Sequence, residues 1–350
     1  MVWVVFQKEG SMKASDVFTL KNSNNVEVTF IARGGQITSI KVPDAKGEIA
    51  DVVIGYDSVE GALAGDAYFG AICGRYANRI VKGQFELNDE TYQLDVNNGP
   101  NHLHGGIDGF NLRTWDVEKV DLPQFAQAYK LMLVSPDGDQ NYPGELTTVV
   151  TYGLTNDNEF VIEYDAESNK DTIINLTSHA YFNLKGAGTG TVAEHKLLIN
   201  ADKFTPIDGE IGTVTGEIEP VKDTAMDFTS AKKIGEALSA DCPQVKLVDG
   251  IDHNFVINDY NGDLKLAARL EDTESGRAME VYTDQPGVQI YTGSHFDSSE
   301  IGKSGDPIEK WAGVALETQI FPDSPNKEHF PNAVLKVGER YKHTCVYKFI

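Results

Sequence analysis

Hydrophobic and polar residues alternate along much of this chain. The alternation is clearest in four segments, residues 26–31, 36–42, 114–120 and 146–152. A period of two places every second side chain on the same face of a β-strand, so each segment is predicted to be a strand with one buried face. Clusters of Gly, Pro, Asn and Asp separate the segments, which is typical of antiparallel strands joined by tight turns.

Helical periodicity is confined to two short segments, residues 58–64 and 231–238. The regular alternation of strands and helices that marks a parallel α/β protein is missing, so the chain is predicted to be all-β. The succession of strands contains neither an internal repeat nor a Pro- or Ser-rich linker, which predicts a single domain over residues 16–350. Residues 1–15 are predicted to be a peripheral N-terminal extension.

The charge of the chain restricts its partners. Its 53 acidic residues outnumber its 30 basic residues, which gives a net charge of -23. Nucleic acids and anionic lipid surfaces require an excess of Lys and Arg, so neither is expected as a partner. A neutral or cationic ligand is favoured. No apolar run approaches the roughly 20 residues of a membrane span.

Cysteine usage favours a reducing compartment. Cys73, Cys242 and Cys345 are odd in number and far apart in the sequence, which argues against a disulfide framework. Residues 1–6 are apolar, but they lack a basic leader and are shorter than the roughly 7–15 residues of a secretory core. The sequence therefore predicts a cytoplasmic protein with free thiols.

Two histidines flank one residue in the segment 101–106, Asn-His-Leu-His-Gly-Gly. On a strand, His102 and His104 would point to the same face. This spacing suits a pair of metal ligands, and it equally suits a polar site or a histidine held by ordinary hydrogen bonds. The sequence leaves all three interpretations open.

A histidine and a glutamate stand out in apolar surroundings. His179 lies among apolar and aromatic residues in segment 177–184, and Glu317 interrupts the apolar strand predicted at 313–320. Glutamate is almost never fully buried without a partner, so Glu317 belongs either to a site or to an ion pair. Their ordinary pKa values of about 4.3 and 6.5 leave the glutamate charged and the histidine partly protonated near neutral pH. In isolation, the default interpretation of His179 is a core histidine satisfied by its neighbours.

Two further segments carry groups suited to sugar hydroxyls. Asn78 and Arg79 end the segment 73–79 with several hydrogen-bond donors, and Asp252 begins the segment 252–255 with an acceptor. For each there is also a structural interpretation. Arg79 is equally suited to pair with a surface carboxylate, and Asp252 is equally suited to cap a turn.

Seven segments, taken in order, resemble the aldose 1-epimerase family, also called the galactose mutarotase family. The resemblance extends from about residue 17 to the end of the chain. It implies a large antiparallel, twisted β-sandwich of the galactose mutarotase type, with a sugar bound in an open cleft on one sheet face. The segments are residues 69–79, 101–106, 177–184, 215–218, 252–255, 287–293 and 315–319.

The resemblance also implies roles for individual residues. Glu317 would be the general base that takes the proton of the C1 hydroxyl, and His179 the general acid that protonates the ring oxygen. Five residues would bind the sugar: Asn78, Arg79, His104, Asp252 and Gln289. The implied substrate is a free aldohexose such as glucose or galactose, with no cofactor and no metal, and the implied state is a monomer or homodimer.

Three other functions fit parts of the pattern. A non-catalytic sugar-binding module of the same fold would keep the cleft without turnover. A metal enzyme would use His102 and His104, and a glycosidase would use Glu317 and Asp252 at a defined separation. The joint presence of Glu317 and His179 favours the epimerase.

Overall fold

Antiparallel strands build the whole fold. A computed structural model describes residues 12–65, 67–210 and 212–350, and the strands of its sheets all pair in antiparallel fashion. Most of the N-terminal extension predicted for residues 1–15 lies outside the described residues. The chain is all-β, as predicted.

Three large sheets contain most of the described strands. In spatial order, the nine-stranded sheet consists of Asp116–Val120, Gln127–Ser135, Leu146–Leu154, Glu159–Ser168, Tyr341–Phe349, Ala278–Thr283, Lys265–Glu271, Lys196–Ile199 and Lys232–Lys233. The six-stranded sheet consists of Tyr181–Phe182, Val314–Gln319, Gly287–Tyr291, Asp252–Val256, Lys203–Thr205 and Glu219–Pro220. The four-stranded sheet consists of Val17–Lys21, Glu27–Ile31, Ile37–Pro43 and Ile49–Asp51.

Smaller strand pairs complete the described part of the chain. They are Thr172–Ile173 with Val334–Leu335, Thr177–Ser178 with Ile72–Cys73, Ile207–Asp208 with Thr213–Val214, Arg79–Ile80 with His102–Leu103, and Gln84–Leu87 with Glu90–Gln93. The four strands predicted from alternation are confirmed, with boundaries that differ by one or two residues.

Helices are short and peripheral to the sheets. The predicted helix at 58–64 is Val59–Ala64, with the Ser58 hydroxyl capping the Gly61 N–H at 3.0 Å. The one predicted at 231–238 is reduced to Ile234–Leu238. A third helix, Pro243–Leu247, was not predicted because five residues show too little periodicity. Single turns of 3₁₀-helix lie at Val81–Gly83, Asp139–Asn141, Lys303–Gly305 and Ser324–Asn326. No helix among the described residues is long and apolar enough to span a membrane.

The main core lies between the sheets and consists of their inward-facing side chains. Tyr152 and Tyr347 of the nine-stranded sheet are buried in the same apolar cluster as Val288 and Leu316 of the six-stranded sheet. Burying an apolar side chain of this size contributes about 1.5–3 kcal/mol. The core therefore fixes the six-stranded sheet by one face and leaves its other face for the site.

The three cysteines are not joined by disulfide bonds. Cys73, Cys242 and Cys345 are all buried, and all are free thiols.

Candidate active site

Three neighbouring strands of the six-stranded sheet present polar side chains on one face. Val314 and Leu316 lie in the main core, so the alternation turns Glu317 to the opposite face. Gln289 lies directly opposite Glu317 in the register, and Asp252 lies opposite Tyr291. Cross-strand neighbours on one face are about 4.5–5.5 Å apart, so these side chains form one polar group.

This polar face forms the floor of a cavity of about 400 Å³. The volume is in the range of small-molecule sites. Six of the seven predicted site residues line the cavity: Asn78, Arg79, His104, His179, Asp252 and Glu317. Gln289 lies behind Asp252 and is only 2% exposed. The structure thus brings together residues that are up to 239 positions apart in the sequence, from Asn78 to Glu317.

Glu317 and His179 form a buried acid–base pair. The carboxylate Oε1 and imidazole Nε2 are 3.5 Å apart, and their side chains are 2% and 5% exposed. Glu317 Oε2 and His179 Nδ1 have no hydrogen-bond partner among the described residues. Buried polar atoms are normally paired, so these two are suited to receive a ligand.

Burial moves both pKa values away from the ordinary values assumed from the sequence. It raises the pKa of Glu317 well above its usual range, and the charge of Asp252 adds to the effect. It lowers the pKa of His179 to about 4. Loss of hydration disfavours the charged form of each group, so between these two pKa values the free pair holds one proton.

The backbone fixes the position of His179. Its N–H donates to the carbonyl of Ala71 at 2.9 Å, and its carbonyl accepts from the N–H of Gly70 at 3.0 Å. The ring of Tyr68 stacks on the imidazole with centroids 5.9 Å apart. Gly70 has a φ of +66°, and a Cβ there would lie 2.1 Å from the carbonyl oxygen of Ile37. Glycine is therefore required at the turn that anchors His179.

Asp252 is held as a charged carboxylate. The Nη1 of Arg79 is 3.4 Å from Oδ2, and the Nε2 of Gln289 donates to Oδ1 at 2.7 Å. Burial by itself raises the pKa of Asp252, but the charge of Arg79 and the Gln289 hydrogen bond outweigh it, so the pKa lies below its usual value. Asp252 does not cap a turn but presents a charge to the cavity.

His104 enters the cavity because the strand ends before it. The strand His102–Leu103 stops at Leu103, and His104 has a φ of +51°. His102 instead bonds to the carbonyl of Asp95 and the hydroxyl of Tyr142, both at 2.6 Å. The expectation that both imidazoles share one strand face is wrong, because the left-handed residue breaks the alternation.

The bonding of His104 also bears on the metal interpretation. His104, His179 and Glu317 each offer a ligand atom, and these atoms lie within 4.8 Å of one another. However, the Asn78 N–H donates to His104 Nδ1 at 3.2 Å, so Nδ1 is the acceptor and the neutral ring carries its proton on Nε2. A metal needs a free lone pair, so His104 Nε2 is better suited to donate to a hydroxyl.

Sequence reasoning missed the aromatic wall of the cavity. Tyr68, Tyr181, Tyr291 and Phe296 line it, and Tyr291 OH lies 2.6 Å from Nδ1 of His295 at the rim. Aromatic rings suit the apolar C–H face of a sugar. Tyr291 was detectable, because it lies two positions after Gln289 on the same strand and therefore shares its face.

Comparison with known proteins settles the family. Residues 16–348 match the family model described as aldose 1-epimerase. The chain belongs to the aldose 1-epimerase family. It is 43% identical to galactose mutarotase of Bos taurus over 93% of this chain and 92% of that protein. It is 36% identical to aldose 1-epimerase of Escherichia coli strain K12 over 95% of each.

Solved structures of aldose epimerases have the same fold. A homologue of aldose epimerase from C. elegans superimposes with a TM-score of 0.87 at 30% identity, covering 96% of this chain and 98% of the other. Galactose 1-epimerase from Lactobacillus acidophilus gives a TM-score of 0.84 at 31% identity, covering 95% and 93%. The predicted β-sandwich of the galactose mutarotase type is confirmed.

Membership of the aldose 1-epimerase family identifies the class of enzyme. The chain is an isomerase that interconverts the α and β anomers of an aldose. The alternative of a non-catalytic sugar-binding module is not favoured.

Proposed function

We propose that Glu317 and His179 perform this interconversion on a free aldohexose such as glucose or galactose. The observation that carries the proposal is the buried carboxylate–imidazole pair. Its two side chains are 3.5 Å apart and line a cavity of about 400 Å³, a volume suited to a sugar. The C1 hydroxyl and the ring oxygen of an aldose are bonded to the same carbon. A base and an acid on two neighbouring side chains can therefore reach both oxygens at once.

The reaction needs two coupled proton transfers. In the free pair the single proton resides on Glu317, because burial raises the pKa of Glu317 and lowers that of His179, so this proton first passes to His179. Ionised Glu317 then takes the proton of the C1 hydroxyl while protonated His179 gives its proton to the ring oxygen, so the C1–O bond of the ring breaks and C1 becomes an aldehyde. Rotation about C1–C2 presents the other face of the aldehyde. The C5 hydroxyl then attacks C1, His179 regains its proton, and Glu317 returns the first proton to the new C1 hydroxyl.

The remaining residues orient the sugar. Positioned acid and base groups each contribute about 10²–10⁴-fold, and fixed orientation supplies more. We assign hydroxyl binding to Asn78, Arg79, His104 and Asp252, which line the cavity. Gln289 was predicted to bind sugar as well. Its hydrogen bond to Asp252 supports a role in holding that carboxylate.

The proposal includes no metal, cofactor, nucleic acid or membrane partner. The proton on His104 Nε2 argues against a metal at this site. The net charge of -23 argues against nucleic acid and anionic membranes. We further propose that residues 16–350 form one domain, that the protein is a monomer or homodimer, and that it is cytoplasmic. Three free, buried thiols support a reducing compartment.

Polarimetry on freshly dissolved α-D-glucose and α-D-galactose tests the function directly. We expect the protein to accelerate the approach to anomeric equilibrium. The acceleration should be the same after dialysis against EDTA, because the neutral His104 ring carries its proton on Nε2, which is then a donor and not a metal ligand. Loss of activity in EDTA that zinc restores would instead support a metal enzyme. No acceleration of either sugar would contradict the proposed substrates.

The pH dependence follows from the buried pair. The reacting form carries one proton, so kcat/KM is expected to be flat between the His179 pKa of about 4 and the raised pKa of Glu317. Below the His179 pKa of about 4 the pair takes up a second proton and lacks a base. Above the raised pKa of Glu317 it loses its only proton and lacks an acid.

Initial rates, corrected for spontaneous mutarotation, would define both limbs of this profile. Circular dichroism at each pH would show that the fold persists. An acid limb centred near 6.5, the ordinary value of histidine, would contradict the stated effect of burial on His179.

A further inference from the structure

A group of polar side chains crosses the otherwise apolar core behind the active site. They come from strand Tyr341–Phe349 of the nine-stranded sheet and reach the two segments that carry His179 and Glu317. Buried polar groups cost free energy unless they are paired, so a paired set in a core fixes a specific geometry.

His343 is the central member of this group. One ring nitrogen, Nδ1, is 3.1 Å from the carbonyl oxygen of Leu176, three residues before His179. The other, Nε2, is 2.8 Å from the hydroxyl of Thr318, the residue after Glu317. A carbonyl can only accept, so Nδ1 donates to Leu176 and Nε2 accepts from Thr318.

The environment of His343 preserves this arrangement. The imidazole is 1% exposed and stacks on Tyr164 with ring centroids 4.6 Å apart. Burial lowers the pKa of His343 to about 4, so the ring is neutral at pH 7. A neutral imidazole has one donor and one acceptor, and the contacts to Leu176 and Thr318 use both. The Thr283 hydroxyl lies farther from Nε2, at 3.5 Å.

Two tyrosines of the same strand reinforce the bridge. The hydroxyl of Tyr341 accepts from the N–H of Leu176 at 3.2 Å, and the hydroxyl of Tyr347 donates to the carbonyl of Leu316 at 3.1 Å. The first backbone group belongs to Leu176, which His343 also contacts, and the second lies two residues before Thr318. Strand Tyr341–Phe349 therefore holds both catalytic segments through four hydrogen bonds.

We propose that His343 is a positioning residue, which sets the separation of His179 and Glu317 by bridging Leu176 to Thr318. This inference rests on the proposed roles of His179 and Glu317. His343 touches no substrate. His343 affects the reaction because His179 and Glu317, the two proton-transfer groups, lie on separate segments of the chain. A shift of about 1 Å between such groups can lower turnover by up to about 10²-fold.

Thr318→Val tests the bridge, because it removes the hydroxyl and keeps the branched shape. We expect kcat to fall about 10-fold while KM changes less than about twofold, since the sugar-binding residues lie on other segments or strands. Thr318→Ser, which restores the hydroxyl, should recover kcat to within about twofold. Polarimetric kcat and KM, measured on folded protein, give the comparison.

Tyr152→Phe is the matched control. It also removes one buried hydroxyl, which donates to the carbonyl of Gly35 at 2.8 Å, from a core position in the nine-stranded sheet that also contains Tyr341–Phe349. We expect it to lower the melting temperature without lowering kcat. If Thr318→Val and Tyr152→Phe lose stability equally and both keep wild-type kcat, the bridge is only structural and the inference is wrong.

A second variant covers poor folding of Thr318→Val. His343→Phe keeps a buried aromatic ring but removes both nitrogens of the bridge, and we expect it to lower kcat with little change in KM. Unchanged kcat in this folded variant would likewise overturn the inference. Failure of the proposed function itself would be distinct, because wild-type protein would then show no mutarotation.

Discussion

Glu317→Gln is expected to lower kcat by about 10²–10⁴-fold while sugar still binds. The amide keeps the shape of the side chain but cannot accept the C1 proton. The floor of the cavity would otherwise be unchanged, since Arg79 and Asp252 hold each other independently of Glu317. Polarimetry at several concentrations of α-D-glucose would separate kcat from KM.

The stability of this variant provides a second readout. Burial raises the pKa of Glu317, so ionising it costs the folded state more than the unfolded state, and this cost grows as the pH rises. Gln carries no charge, so urea unfolding at pH 8 should find Glu317→Gln at least as stable as the wild type. A large loss of stability would mean that the carboxylate has a structural role.

Glu300→Gln is the matched control for the change of carboxylate to amide. Glu300 lines the same cavity, but its Oε2 accepts from the Tyr56 hydroxyl at 2.9 Å and it is not paired with His179. We expect its kcat to change less than about 10-fold. Near-normal turnover in folded Glu317→Gln would show that another group is the base.

His179→Asn is expected to cause a loss comparable to that of Glu317→Gln, about 10²–10⁴-fold in kcat, for a different reason. Without the imidazole the ring oxygen has no proton donor, so the ring must open as an alkoxide. His295→Asn makes the same change at the cavity rim and should retain most of the activity. Polarimetry on the wild type, His179→Asn and His295→Asn compares the two histidines directly.

The double variant distinguishes one coupled step from two independent effects. If base and acid act in the same step, Glu317→Gln combined with His179→Asn should be scarcely slower than either single variant, because groups that act as a unit are strongly non-additive. Losses that multiply would instead show that the two side chains contribute to separate steps, and the coupled mechanism would be wrong.

The sequence determined the fold class and most members of the site. Alternation of period two depends only on neighbouring residues, so the sequence alone predicted four strands and the all-β class. A glutamate inside an apolar strand indicated a site, because burying an unpaired charge costs free energy and is therefore rare. The ordered motifs of the family resemblance gave roles to His104, His179 and Asp252, all of which line one cavity.

Only the tertiary structure decided how these residues are arranged and charged. Gln289 lies behind Asp252, and Tyr291 of the same strand forms part of the wall, because neighbouring strands and loops determine how far each side chain reaches. The left-handed backbone at His104 separates it from His102. The shifted pKa values of Glu317 and His179 come from burial by segments distant in sequence, and a local pattern contains no information about which segments will cover it.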